Sequence, residues 1–237
     1  MNSDIILIDK PDQMTSFGVV ARIRRKLSEQ EGKKVKVGHT GTLDPFATGL
    51  LIILTHKATK LSDTFLKLDK WYEATIELGK SSTTGDPEGE ITTHEVTRIP
   101  TREEVETVCR NFLGQITQTL PAFSAIKING KRAYQLAREG KQIEMPSRQV
   151  EIYALEILDY QYPTLKIRTH VSSGTYIRTL GEDIGRSLGT SAYLTALRRI
   201  QVGPYKIEDA VTLDNFMAEN WEKINPTSWN SCSLMLR

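Results

Sequence analysis

The stretch Gly38-His39-Thr40-Gly41-Thr42-Leu43-Asp44-Pro45-Phe46-Ala47-Thr48-Gly49 is a polar loop between two apolar runs, Val35 to Val37 and Leu50 to Leu54. Asp44 is its carboxylate. Pro45 removes the next backbone donor and biases Asp44 towards an extended conformation, so the side chain is aimed. An Asp so placed can serve chemistry or cap a turn. Arg178, in Ser172-Ser173-Gly174-Thr175-Tyr176-Ile177-Arg178, is a candidate partner, because a guanidinium can hold a buried carboxylate through two parallel hydrogen bonds and keep it ionised. A surface ion pair on a helix is the alternative. Tyr72, on the apolar side of an alternating segment, suits either core packing or base stacking. The glycines do not make a Walker loop, and Gly79-Lys80-Ser81 has Ala74 where the upstream Gly would stand, so nucleoside triphosphate binding is rejected. His39 has no metal-type ligands nearby, and His56, His94 and His170 are scattered. Cys109 and Cys232 lie far apart, matching neither a metal site nor a disulfide framework.

Positioning these residues requires a mixed set of elements. Ile5 to Ile8 form a short strand ended by Pro11, and Ser16 can cap a helix whose Val20, Ile23 and Leu27 share one face while the other is basic. Tyr72, Ala74, Ile76 and Leu78 alternate with Glu73, Thr75 and Glu77, which predicts a strand buried on one side, followed by a polar loop from Lys80 to Gly89. Thr101 with Glu104 resembles a capping box, continued by Val105, Val108 and Phe112 to a helix end near Gly114. Strands are expected around 149–158 and 164–171, and a helix from Thr175 to Leu188. The apolar run Tyr193 to Val202 suits a strand or a helix. Residues 118–148, with Pro121, an Asn129-Gly130 turn signal and Pro146, read as an excursion from the core. The class is α+β with a mixed, mainly antiparallel sheet flanked by helices.

At 237 residues the chain can bury a core unaided, and 39% hydrophobic with 25% charged residues excludes disordered and collagen-like classes. Leu50 to Leu54 is the longest aliphatic run, far short of the ~18 residues of a membrane span. Asp4 and Asp9, with no basic leader, argue against a secretory signal, which implies a cytoplasmic protein. The net charge of +2 hides a division along the chain. Residues 17–37 hold seven basic against two acidic side chains and 125–150 six against two, whereas 85–106 hold two against seven. A basic face suits a polyanion such as nucleic acid, though solvated helix faces look similar.

Taken together, these stretches resemble the tRNA pseudouridine synthases of the TruB type, which isomerise the TΨC-loop uridine at tRNA position 55. The resemblance rests on Leu7-Ile8-Asp9-Lys10-Pro11, the Gly38 to Leu51 run, Lys70-Trp71-Tyr72 leading to Leu78-Gly79, the Ser-Ala-Ile-Lys run at Lys127, Gly174 to Leu180, and Leu197-Arg198-Arg199, in family order across roughly residues 5–205. It implies the pseudouridine synthase catalytic fold and assigns Asp44 as the nucleophilic carboxylate, attacking either ribose C1′ or uracil C6. Tyr72 would stack on the base and help remove the C5 proton, Arg178 would pair with Asp44, and Tyr176 and Leu197 would line the pocket. A base buried in folded tRNA must be flipped out, and His39 matches the residue that fills the vacated stack. The chemistry needs no metal or redox cofactor.

The same resemblance makes 118–148 an RNA-clasping insertion, with Lys127, Lys131, Arg132 and Arg138 facing RNA, where disorder before binding would be natural. Lys10 and Lys60 match positions near the site, where substrate contact and local packing are equally open. About thirty residues follow Gly203, too few for the small β-rich RNA-binding domain of bacterial relatives. The expected organisation is a catalytic domain at 1–205 and a short C-terminal tail at 206–237. tRNA is the expected partner of a monomer that needs no membrane, metal or protein partner. Rival readings are a catalytically silent RNA-binding or chaperone module on the same fold, a carboxylate-based glycoside hydrolase, which would want a second acid near Asp44, and a guide-RNA-dependent pseudouridine synthase.

Overall fold

The structure, a computed structural model, describes residues 5–124, 126–128, 130–138 and 144–218, without the side chains of Lys127, Ile128, Arg132, Tyr134, Ala137 and Arg138. The elements in chain order are β1 (Ile5–Lys10), α1 (Ser16–Glu31), β2 (Val37–His39), β3 (Thr48–Thr55), α2 (Ser62–Leu66), β4 (Lys70–Leu78), β5 (Lys80–Ser82), β6 (Ile91–Thr93), α3 (Arg102–Asn111) and β7 (Gly114–Thr119). There follow β8 (Lys127–Ile128), β9 (Lys131–Arg132), α4 (Ala133–Arg138), β10 (Ser147–Gln161), β11 (Thr164–Val171), α5 (Ile177–Ser187), β12 (Ala192–Val202), β13 (Tyr205–Lys206), β14 (Val211–Thr212) and α6 (Leu213–Ala218). They divide into two compact units, residues 1–63 with 206–237, and residues 64–205.

In the first unit β3 is the middle strand. β1 lies antiparallel to it from Ile5↔Leu54 to Lys10↔Gly49, β2 lies antiparallel along Val37↔Thr55 to His39↔Ile53, and β14 joins β1 in parallel at Ile8↔Val211. Val19, Val20, Ile23 and Leu27 of α1 pack with Ile6, Ile8, Leu51, Ile53 and Phe216 as one apolar cluster, the stripe that the periodicity indicated. Two details depart from the sequence reading. The cap of α1 is Thr15, whose hydroxyl accepts from the Gly18 N–H at 2.9 Å; Ser16 is the first helical residue and is buried. Lys26, counted with the basic face, is also buried, and its ammonium donates to the Phe216 and Met217 carbonyls at the end of α6. A cation at a helix C-terminus satisfies carbonyls that the helix cannot.

The second unit carries a five-stranded antiparallel sheet in the order β12-β4-β11-β10-β7. Lys70, Tyr72, Ala74, Ile76 and Leu78 form the buried side of β4 and alternate with partly exposed residues, as period two requires. α5 packs on this side: a Cβ on Gly185 would come within 2.4 Å of the Ala192 side chain, so glycine allows the helix to approach β12. The run left open between strand and helix is β12, paired with β4 through two register shifts. The capping box forms, with Glu104 N–H donating to the Thr101 hydroxyl at 3.3 Å and Thr101 N–H donating to Glu104 Oε2 at 2.8 Å.

The excursion is closed at its base by the Leu120 N–H to Pro146 C=O bond of 3.0 Å. It contains the short hairpin β8–β9, paired Lys127↔Arg132, followed by α4. Gly130 between those strands has φ 83°, while its turn companion Asn129 falls outside the described residues.

Candidate active site

The sequence-derived site residues lie in both units, His39, Asp44 and Lys10 in the first and Tyr72, Tyr176, Arg178 and Leu197 in the second. The backbone of the Asp44 loop is fastened on either side of the carboxylate. Ser16 Oγ donates to the Leu43 carbonyl at 2.9 Å and accepts from the Leu43 N–H at 2.8 Å. On the other side Lys10 Nζ donates to the Pro45 carbonyl at 3.0 Å, and to Pro11 and Met14 carbonyls at 2.9 and 2.5 Å. The Ala47 N–H closes a turn onto the Asp44 carbonyl at 3.1 Å. Leu43, Phe46 and Ala47 are buried, and Asp44 between them remains half-buried. The loop leaves β2 through His39 and is tied back by Thr40 N–H to the Ile52 carbonyl at 3.1 Å.

Lys10 is wholly buried, and its ammonium donates to these three backbone carbonyls. Lys60 is exposed at the end of a 3₁₀ turn.

In the second unit Arg178, one residue into α5, is buried in a cage of acceptors. Nη1 donates to the Thr84 carbonyl at 2.7 Å and to Asp86 Oδ2 at 3.0 Å, and Nη2 donates to the Phe123 carbonyl at 2.8 Å. Asp86 is itself 3% exposed and accepts from the Thr84 hydroxyl at 2.5 Å and the Glu88 N–H at 3.0 Å. The 82–90 loop is thereby wound around one buried ion pair, whose charges are matched by hydrogen bonds. Glu182, one turn along α5, stands against Gly85; burial pushes its carboxyl above the usual range, and the Arg178 charge opposes this.

Tyr176, immediately before α5, is held through its backbone: its N–H donates to Gln118 Oε1 at 3.0 Å and its carbonyl accepts from Gln118 Nε2 at 3.2 Å. Tyr72 is buried on β4, with Arg199 opposite it on β12 and Leu197 opposite the neighbouring Ala74. Lys70, two residues before Tyr72, donates to the Leu66 and Leu68 carbonyls; burial, reinforced by the Arg199 charge, pulls its pKa down to about 8. Lys131 is exposed on the β8–β9 hairpin, and the side chains of Lys127, Arg132 and Arg138 lie outside the described residues.

Asp86 and Gln118 were not singled out from the sequence, Ser16 was read only as a helix cap, and Arg199 stood only within the Leu197-Arg198-Arg199 run. Asp86 carried a signal, since Asp86-Pro87 repeats the dipeptide of Asp44-Pro45. Ser16 and Gln118 carried none, because each acts on the backbone of a residue distant in sequence. Among the described residues no group of three His, Cys, Asp or Glu could hold a metal ion, and no helix is long and apolar enough to cross a membrane.

Residues 24–177 match the family model described as TruB family pseudouridylate synthase, N-terminal domain. The chain belongs to this family. Its members are isomerases, which sets aside the glycoside hydrolase and the catalytically silent module. Residues 178–232 match the tRNA pseudouridylate synthase B C-terminal domain. Proteins named tRNA pseudouridine synthase B from Phocaeicola vulgatus and Parabacteroides distasonis are 45% and 44% identical to this TruB-family chain, over 90% and 93% of it and 91% and 96% of their own lengths. Among solved structures, a chain of a Cbf5-Nop10-Gar1 complex matches with TM-score 0.68 at 29% identity, covering 90% of this chain and 53% of that one. This chain thus spans about half the length of that structural relative.

Proposed function

We propose that this chain converts uridine to pseudouridine in the TΨC loop of tRNA, at position 55, with Asp44 as the nucleophile. The observation that carries the reading is the two-sided fastening of the Asp44 loop by Ser16 and Lys10, which presents one carboxylate on a fixed backbone between buried neighbours. Positioning of this kind supplies much of an enzyme's advantage when a single group must meet one atom. The tRNA substrate is supported by the near-full-length relatives that bear that name. They also favour tRNA over the guide-RNA-dependent alternative, as the Cbf5 chain is matched over only half its length.

In the proposed reaction the C1′–N1 glycosidic bond breaks, the uracil turns while held, and a C1′–C5 bond forms. C5 then gives up its proton and N1 ends protonated, so the product is an isomer and no oxidant or co-substrate enters. Asp44 attacks ribose C1′ or uracil C6 and is released at the end. Arg178 pairs with Asp44 and keeps it ionised, its guanidinium already oriented by Asp86, Thr84 and Phe123. Tyr72 stacks on the uracil and assists loss of the C5 proton, Tyr176 and Leu197 close the pocket against water, and His39 fills the stack left by the flipped nucleotide. Lys131, exposed on the β8–β9 hairpin, faces phosphate.

The test is Asp44→Asn, which keeps the shape and removes the nucleophile. Nucleoside analysis of an unmodified tRNA transcript incubated with the variant should show no pseudouridine, with tRNA binding retained within about tenfold. Substantial residual turnover would refute the assignment.

A further inference from the structure

Phe17 is the most exposed large apolar side chain among the described residues, at 65%, and it occupies the second position of α1. Most of the apolar residues of that helix are buried, so packing does not explain a phenylalanine there. Its surroundings are specific. Ser16, its chain neighbour, grips both polar groups of the Leu43 backbone, the residue before Asp44. The guanidinium of Arg24, seven residues and about two turns further along α1, stands 5.8 Å from the Phe17 ring centroid, within cation–π range. Arg24 also donates to the Val37 carbonyl at 3.1 Å, which fixes it against β2, the strand that ends at His39. Arg22 and Arg25 of the same helix are exposed, although Arg25 shares its charge with Glu29 at 2.9 Å.

An exposed aromatic ring, braced on one side by a fixed guanidinium and set in a basic helix beside the Asp44 loop, has the chemistry of a nucleic-acid stacking platform. A protein partner would want a wider apolar patch, whereas a polyanion with π-faced bases fits an isolated ring among cations. We infer that Phe17 stacks on a nucleobase of the RNA substrate next to the nucleotide taken into the site, with Arg24 supporting the ring from behind. This rests on the RNA substrate proposed above and adds a contact to it. The stack sets affinity and not the chemical step, because the ring acts on an unreacting base.

The experiment compares wild type, Phe17→Ala, Phe17→Leu and Phe17→Trp in tRNA-transcript binding and in single-turnover pseudouridine formation at saturating tRNA. Base–aromatic stacking corresponds to about 5- to 150-fold in affinity, so Ala and Leu should raise the dissociation constant by that factor, while Trp should stay within about threefold. The emission of the indole introduced by Phe17→Trp, taken as the difference from wild type, should be quenched by the transcript, and the rates at saturation should remain those of wild type. Equal affinities across the series, an unquenched indole in Phe17→Trp, or a rate lost at saturation without loss of affinity would each overturn the inference. Failure of wild type to form pseudouridine would instead count against the proposed reaction, and the binding series would still read the Phe17 contact.

Discussion

Replacing Ser16 by Ala separates the positioning of Asp44 from its chemistry. Ser16 is 2% exposed and its hydroxyl completes two hydrogen bonds at 2.8 and 2.9 Å, both to the Leu43 backbone, so its loss leaves one buried N–H and one buried carbonyl short of a partner. An unsatisfied buried group costs about 1–3 kcal/mol, and a water in the vacated space recovers part of that, so a destabilisation of about 2 kcal/mol is expected by urea unfolding. The loop can escape the penalty only by moving Leu43 towards solvent, and Asp44 moves with it. A displacement near 1 Å costs about 100-fold in rate where one group must meet one atom, so the single-turnover rate at saturating tRNA should fall about 10- to 100-fold. Binding of the transcript should change by less than about threefold, since Ser16 is buried. Lost stability with an unchanged rate would show that the grip serves folding alone, and the positioning argument would be wrong.

Three further outcomes follow from the geometry. Tyr72→Phe keeps the ring and removes the hydroxyl, so single-turnover kinetics should slow while affinity stays near normal; an equal fall in affinity would make the hydroxyl a binding group. Asp86→Asn removes the charge that holds Arg178 at 3.0 Å, and the turnover rate at saturating tRNA should drop at least tenfold, with partial recovery in Asp86→Glu; unchanged turnover would show that Thr84 and Phe123 orient the guanidinium without it. Lys70, with a pKa near 8 in the fold and an ordinary value of 10.5, binds fewer protons folded than unfolded between those values, so its contribution makes stability rise with pH there. Urea unfolding at pH 7.5 and 9.5 should therefore show a less positive pH slope in Lys70→Met than in wild type, and equal slopes would contradict the depressed value.

Much of the scaffold was legible because it depends on local pattern. The alternation at Tyr72 to Leu78, the stripe Val20-Ile23-Leu27 and the Thr101–Glu104 box each record their own element, since side-chain period and cap chemistry act within a few residues. β12 stayed open between strand and helix because its apolar residues, interrupted by Thr195, Arg198, Arg199 and Gln201, keep no single period, and pairing with β4 settled it. Ser16 was misread as a cap for a related reason: Thr15 and Ser16 are equally able to cap, and the choice is made by Leu43, 27 residues away, which takes the serine hydroxyl for itself. Lys26 fell to the same kind of long-range demand, drawn from the basic face to the carbonyls that end α6.

The two Asp-Pro dipeptides show why the candidate site was legible only in part. Proline after aspartate fixes the local backbone equally at Asp44 and Asp86, yet burial separates them: Asp86 is 3% exposed and held by Arg178, Thr84 and the Glu88 N–H, while Asp44 stays half-buried between neighbours whose backbone is held on either side. A carboxylate used as a structural counter-ion is best enclosed, because every hydrogen bond to it strengthens as water leaves. A nucleophile needs a fixed backbone and an open face, so its support belongs on the main chain to either side, where Ser16 and Lys10 supply it. Under the proposed reaction these supports divide by physical kind. Ser16 and Lys10 govern where the carboxylate is, through neutral carbonyls and an N–H, and altering Ser16 should change rate without moving its dependence on pH. Asp86 governs the orientation and charge balance of Arg178, and altering it should change the rate through the guanidinium.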